Sequence, residues 1–271
     1  MKQSEQKKLL IYTVADPKYY EFAILYPLFA IISNPEAIVE IGIVDFPLFK
    51  WKYGHLLNFY EATYKDRIYF TPVTRENVMA NSLRFIVPPK QKAEYIYIGD
   101  VDILLTDDIL TPHLNNIERN KLDFSNIKRP SQPNKLSGLH FIAYEKMYPI
   151  NTPAGIDLKT YNDEELLYVM MEGKGYKIPT ASELSFRPIL GIHISYFSRP
   201  PLATLTTADK KVDFPDWEAS IPALEKYRAF RFSPPAKEFM NAIRTHDIEL
   251  RRIVQIIDMY VYYRLNAHPA P

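Results

Sequence analysis

The chain has 271 residues, enough for one large α/β domain or two small ones. Apolar residues make up 47% and charged residues 24%, which excludes disorder over most of the chain, and a formal net charge of +1 gives non-specific nucleic-acid binding no electrostatic support. Cysteine is absent, which excludes disulfides and thiolate metal sites. With 8 glycines against 22 prolines, neither GxGxxG nor GxxxxGK followed by Ser or Thr occurs.

Met1 to Lys8 is polar and charged, and the apolar run Leu9 to Val14 is too short for a signal-peptide core. No stretch approaches the roughly 20 apolar residues of a membrane-spanning helix. With no cysteine, this pattern predicts a cytoplasmic protein whose membrane contact, if any, is peripheral.

Lys8 to Thr13 reads as a first strand, broken at Ala15-Asp16-Pro17. Helical spacing of Phe22, Leu25, Tyr26, Phe29 and Ile32 predicts a helix from Tyr19 to Ser33, ended by Asn34-Pro35. Val39 to Val44 is a second strand, and this βαβ opening predicts a parallel sheet. Arg67 to Phe70 gives a short strand. Glu76 to Val87 reads as a helix stopped by Pro88-Pro89. Tyr95 to Ile98 has the pattern of a central strand buried on both faces. Leu139 to Tyr144 is a further strand, Asp163 to Gly173 a helix closed by its glycine, and Ile189 to Ile194 a late strand. Ala236 to Leu265 reads as an amphipathic helical tail. The expected organisation is one α/β domain over 1–205 and a helical extension over 206–271 packed on it.

The strongest local signal is Tyr95-Ile-Tyr-Ile-Gly-Asp100-Val-Asp102. Two carboxylates follow a buried strand, at the end where open α/β sheets bind ligands. On an extended chain they point to one side and repel unless a cation lies between them. A hard divalent ion takes oxygen ligands and shares them with substrate phosphates. Alone, D-x-D carries little; the buried strand before it gives it weight. Asp107-Asp108 read as solvated or as a helix cap. A haloacid dehalogenase-like phosphatase also places D-x-D after an apolar strand, with its first Asp as nucleophile. Here Leu104 replaces the usual Thr or Val, and the motif lies mid-chain.

The order of these elements from about Leu9 to Pro200 resembles glycosyltransferase family eight, the glycogenin and lipopolysaccharide galactosyltransferase group. That resemblance implies a GT-A-like, Rossmann-type mixed and mainly parallel sheet flanked by helices. It also implies sugar transfer with retention from a nucleotide-sugar donor, a UDP-sugar by family preference. Ile11-Tyr-Thr13-Val-Ala15-Asp16-Pro-Lys-Tyr19-Tyr20 resembles the family's uridine loop, so Thr13, Ala15 and Asp16 are expected round the base, with Tyr19 or Tyr20 packing on it. Asp16 reads equally as a helix cap. Asn81-Ser-Leu-Arg84 resembles the family's Arg-bearing helix, where the Arg meets the donor; a solvated helix face is the other reading.

Asp100 and Asp102 match the family's metal pair, with Val101 between them at the donor. Leu136-Ser137-Gly138-Leu-His140 resembles the strand entry that lines the donor sugar; His140 reads as a strand residue. Asn162-Asp163-Glu164-Glu165 resembles a D-Q-D helix start, with Asp163 near the reacting carbon and Glu164 in place of Gln. Gly191-Ile-His193-Ile-Ser-Tyr-Phe-Ser-Arg199-Pro resembles the late metal-ligand segment. His193 matches a third ligand for Mn²⁺ or Mg²⁺, and Arg199 lies near the Lys that holds the diphosphate. A lone His in an apolar strand is otherwise a core residue.

The implied partners are a nucleotide-sugar donor and a glycan or lipid-linked acceptor. An inactive transferase-like binding module is the non-enzymatic alternative. The arginines interleaved with aromatics in the tail suit an interfacial helix, packing on the domain, or a contact between copies.

Overall fold

The computed structural model describes residues 8–75, 78–126, 133–150, 155–179, 191–193 and 221–267. Strand β1 (Leu9–Ala15) leads through a 3₁₀ turn (Pro17–Tyr19) into α1 (Tyr20–Ser33). β2 (Ile38–Val44), α2 (Phe46–Thr63) and β3 (Ile68–Val73) follow. A 3₁₀ turn (Ala80–Ser82) runs into the short α3 (Leu83–Ile86), then β4 (Tyr95–Ile98) and β5 (Ile103–Leu105). α4 (Leu110–Asn120), β6 (Phe124–Asn126), β7 (His140–Ala143), α5 (Tyr144–Met147), α6 (Asp163–Gly173) and β8 (Gly191–His193) complete the first region. α7 (Ile221–Arg231), α8 (Pro234–Ala242) and α9 (Ile248–Ala267) form the last part.

The main sheet has the order β3-β2-β1-β4-β7-β6. β1, β2, β3 and β4 are mutually parallel, while β7 runs antiparallel to both β4 and β6. The fold is thus mixed α/β with a mainly parallel sheet flanked by helices. β5 leaves this sheet and pairs antiparallel with β8 in a separate ladder. α1 is apolar on every side because it is buried on every side. One face meets β2, and β5 and the C-terminal helices pack elsewhere along it, with Phe29 stacked on Tyr227 at 5.4 Å.

Several elements differ from the sequence reading. α2 was not foreseen: Asp45 caps it by accepting from Leu48 N at 3.3 Å, and Pro47 stands in its first turn, but its apolar face is blurred by Trp51, Tyr53 and Gly54. The helix expected up to Val87 is reduced, among the described residues, to the turn and α3 at 80–86. Gly173 does not close α6 by itself; Gly175, at φ +75°, takes the left-handed position.

The tail expected over 236–265 is two helices, α8 and α9, and α7 precedes it. α8 and α9 are separated at Asp247, whose carboxylate accepts from Arg244 N at 2.8 Å. Phe239, Ile253, Ile256, Ile257 and Tyr260 are buried in the core shared with α1, so the apolar face of the tail packs on the domain. Of the three readings of the tail, packing on the domain is the one these contacts support. No helix among the described residues is long and apolar enough to cross one.

Candidate active site

The acidic pair stands at the C-terminal end of β4, where the strand leaves the main sheet. Two contacts from β1 fix that exit: Gly99 N donates to Tyr12 O at 3.2 Å, and Thr13 Oγ1 donates to Gly99 O at 2.8 Å. Asp100 to Ile103 then form a turn, with Ile103 N donating to Asp100 O at 3.2 Å. The chain is therefore not extended across the pair, as the sequence reading assumed. The turn still leaves both carboxylates lining one cleft.

That cleft, of about 210 Å³, is lined by Val14, Asp16, Tyr19, Ala80, Asn81, Arg84, Asp100, Val101, Asp102 and His193. Seven of the residues singled out in the sequence meet there. His193 reaches it because β8 pairs with β5 in a register that sets His193 opposite Ile103, one residue after Asp102. The approach is close: a Cβ on Gly191 would overlap the Leu104 carbonyl oxygen, so only glycine lets β8 lie there. Asp16 is a cap that also faces the cleft. It caps the 3₁₀ turn through Lys18 N at 3.1 Å and lines the cleft.

Arg84 is the organising cation. Its Nη2 lies 2.8 Å from Asp100 Oδ1 and 2.8 Å from Asp163 Oδ2, so a buried guanidinium ties the start of α6 to the acidic turn. The solvated-face reading of Arg84 is thereby excluded. Burial alone disfavours its charge, but Asp100, Asp163, Asp102 and Glu164 outweigh that and raise its pKa. Two contacts hold the chain after Arg84: Tyr12 Oη donates to Val87 O at 2.9 Å, and the buried Glu40 accepts from Lys90 N and Gln91 N at 2.9 and 2.8 Å. Gly138 packs on the ion pair; a Cβ there would stand 2.5 Å from Arg84 Nη2 and 2.9 Å from Asp100 Oδ2. Asn162 caps α6 through Glu164 N and Glu165 N and aims Asp163 at Arg84.

Four expected contacts are corrected. Thr13 is buried and spends its hydroxyl on Gly99 O, and Ala15 is buried in the core. Tyr20 turns away into the core; its hydroxyl donates to Val44 O at 2.6 Å and Asp45 O at 2.9 Å, and burial pushes its pKa up to about 12. Ser137 uses its Oγ to accept from Leu139 N and its carbonyl to accept from Asn126 Nδ2. These groups support the cleft walls and do not line it. Arg199 lies outside the described residues. Val14, Ala80 and Asn81 line the cleft without having been singled out; Asn81, three residues before Arg84, was the legible one.

The donor types suit a hard divalent ion: two carboxylates and an imidazole. Among the described residues no three His, Asp or Glu side chains already close round a common point. An ion held by these donors would have to complete its shell with substrate oxygens and water. They do not form an all-protein cage.

No family model matches this chain, and no curated protein matches it. The solved structures it resembles are glycosyltransferases. An active-site mutant of LgtC is 13% identical, with a TM-score of 0.41 over 59% of this chain and 70% of that one. The galactosyltransferase LgtC in complex with donor and acceptor sugar analogues is 12% identical over the same shares, also at 0.41. GlyE of Streptococcus pneumoniae is 10% identical, at 0.41 over 66% of this chain and 46% of its own. The functional reading rests on the residues of the cleft.

Proposed function

We propose that this protein is a metal-dependent hexosyltransferase. It moves a sugar from a nucleotide-sugar donor, a UDP-sugar by resemblance, to a glycan or lipid-linked acceptor with retention of configuration. One observation carries the reading: Asp16, Tyr19, Arg84, Asp100, Asp102 and His193, drawn from four separate stretches of chain, converge on one cleft at the C-terminal end of the parallel strands.

The charge balance of the cleft supports a cation. Asp16, Asp100 and Asp102 line it, and Arg84 is already shared between two carboxylates. A diphosphate entering alone meets like charge. Asp100, Asp102 and His193 would hold Mn²⁺ or Mg²⁺, which when bound neutralises the diphosphate and its developing negative charge. Tyr19 offers a ring to the base, and Asp16 an acceptor to its ring N–H. Arg84 pairs with Asp100 and orients Asp163 towards the sugar. Asp163 positions the sugar, and we assign it no proton transfer. Arg199 remains the candidate for further charge on the diphosphate.

The Arg84 ion pair disfavours the phosphatase reading, because a carboxylate held at 2.8 Å by a buried guanidinium is a weakened nucleophile. Calorimetric titration with UDP, with and without Mn²⁺, on the wild type and Asp102→Asn, tests the proposal. Mn²⁺-dependent binding lost in the variant is expected. No UDP binding by folded protein in either condition overturns it, and binding without any donor hydrolysis points to an inactive binding module.

A further inference from the structure

A second concave site lies outside the acidic cleft. A groove of about 620 Å³ is lined by Trp51, Lys52, Tyr53, His246, Asp247, Ile248 and Glu249, between the first half of α2 and the start of α9. Trp51 is 82% exposed and Ile248 58% exposed on its rim. A tryptophan left this open, on a helix whose Phe49, Tyr53, Leu56 and Tyr60 are all buried, contributes little to the packing of the described residues.

The floor beneath the ring is a set of pre-paired polar groups. α2 is kinked at Tyr53, with φ −120° and ψ 17°. There Tyr53 Oη donates to Glu21 Oε1 at 2.6 Å, and Lys52 Nζ reaches the same oxygen at 2.6 Å. His55 Nε2 lies 2.9 Å from Asp247 Oδ2, and Glu249 pairs with Arg252 at 3.3 Å. His55 and the Arg244 N–H both use Asp247 Oδ2, and Oδ1 takes no part in either contact. The lining thus combines donors and acceptors held in fixed directions with an open aromatic face.

That combination selects a chemistry. Lys52, the one lysine or arginine among the lining residues, is already paired with Glu21, so a phosphate or other anion gains no unpaired cation. A purely apolar ligand would leave the charged floor desolvated. A ligand with an apolar C–H face and a rim of hydroxyls satisfies both parts, stacking on the Trp51 ring while Lys52 and Glu249 take up its hydroxyls.

We propose that this groove binds a neutral saccharide, independently of the acidic cleft. The choice of saccharide over other neutral polyhydroxyl ligands rests on the glycosyl-transfer reading; the groove itself does not. The two are linked through one short segment: Tyr19 lines the acidic cleft, and Glu21, two residues on, supports the groove. A glycan seated here is held beside the transferase site as a second point of attachment, which raises the local concentration of its reacting end.

The test is saturation-transfer NMR with lactose, maltose, cellobiose and diacetylchitobiose, without nucleotide or metal, on the wild type, Trp51→Ala, Trp51→Phe and Asp102→Asn. The expected result is a signal from at least one disaccharide, concentrated on the C–H protons of one ring face. It falls at least five-fold in Trp51→Ala, is largely kept in Trp51→Phe, and is unchanged in Asp102→Asn or on adding UDP and Mn²⁺. Silence from all four disaccharides overturns the proposal. So does a signal kept in Trp51→Ala and lost in Asp102→Asn, which places the sugar in the acidic cleft. Concentration-dependent sedimentation abolished by Trp51→Ala, with no saccharide signal, assigns the groove to a second copy and also overturns it. The UDP titration reads the other site, so either reading can fail while the other stands.

Discussion

Arg84 and Asp163 meet at 2.8 Å across 79 residues of chain, and the contact is buried. Removing the guanidinium leaves Asp163 and Asp100 facing each other without a counter-charge. Arg84→Ala is therefore expected to lower stability by about 3 kcal/mol, the scale for breaking a buried pair. Denaturant unfolding reads this directly. Arg84→Lys keeps the charge but not the planar fork, and is expected to retain most of the stability while losing at least ten-fold in donor hydrolysis.

Gly138→Ala tests the same contact from the other side. A methyl group 2.5 Å from Arg84 Nη2 forces the guanidinium aside. The expected outcome is a stability loss of about 1–3 kcal/mol, as for other overpacked sites, with donor hydrolysis falling by at least ten-fold. Activity unchanged in Gly138→Ala would separate the Arg84 and Asp100 contact from function.

The two tyrosines after β1 should behave differently. Tyr20→Phe removes a partly buried hydroxyl bonded to two backbone carbonyls, so a loss of about 1 kcal/mol in stability and no change in UDP affinity are expected. Tyr19→Ala should weaken UDP binding several-fold and leave unfolding nearly unchanged, because Tyr19 lines the cleft. Calorimetry and thermal unfolding on both variants check the contrast.

Gly191→Ala should act through the backbone. The added Cβ meets the Leu104 carbonyl, so β8 must move off β5 and carry His193 with it. Loss of the Mn²⁺ enhancement of UDP binding is expected, with the six-stranded sheet intact by circular dichroism. An unaltered Mn²⁺ response would remove His193 from the site.

Two buried histidines predict acid sensitivity. Burial drives both His113 and His140 from 6.5 down to about 3. The unfolded chain therefore binds two more protons than the folded one between those values. This stability is full above about pH 6.5 and is lost as pH falls towards 3; at pH 4.5 the loss is about 2–3 kcal/mol for each histidine. His113→Phe keeps the stacking on Phe141 and should flatten part of the Tm profile between pH 6.5 and 4.5.

The sheet was legible where strands were apolar and followed by a break, as at Leu9–Ala15, Ile38–Val44 and Tyr95–Ile98. The acidic turn was legible because charged groups stood directly after such a strand, whereas Arg84 stood out only through the family resemblance of its segment. α2 escaped because its aromatic residues face both the core and the solvent, which erases the periodic signal. Tyr20 was misassigned to the ligand since sequence cannot say which of two adjacent aromatics the first helical turn points inward. The convergence of Arg84 with Asp163 depends on sheet order, which brings β7 and the start of α6 back beside β4.

β4 belongs to the six-stranded sheet and β5 to the two-stranded ladder, so the turn from Asp100 to Ile103 is a joint between two separately bonded frames. Asp100 is anchored to the first frame by Arg84, while His193 travels with the second. A small rotation of the ladder changes the aperture between them and leaves both sets of strand hydrogen bonds whole. That ladder is seated on α1 through Leu104, Leu105 and Ile192, which are buried in the same core, so the aperture and the stability of the fold are set by the same side chains and selection on one acts on the other.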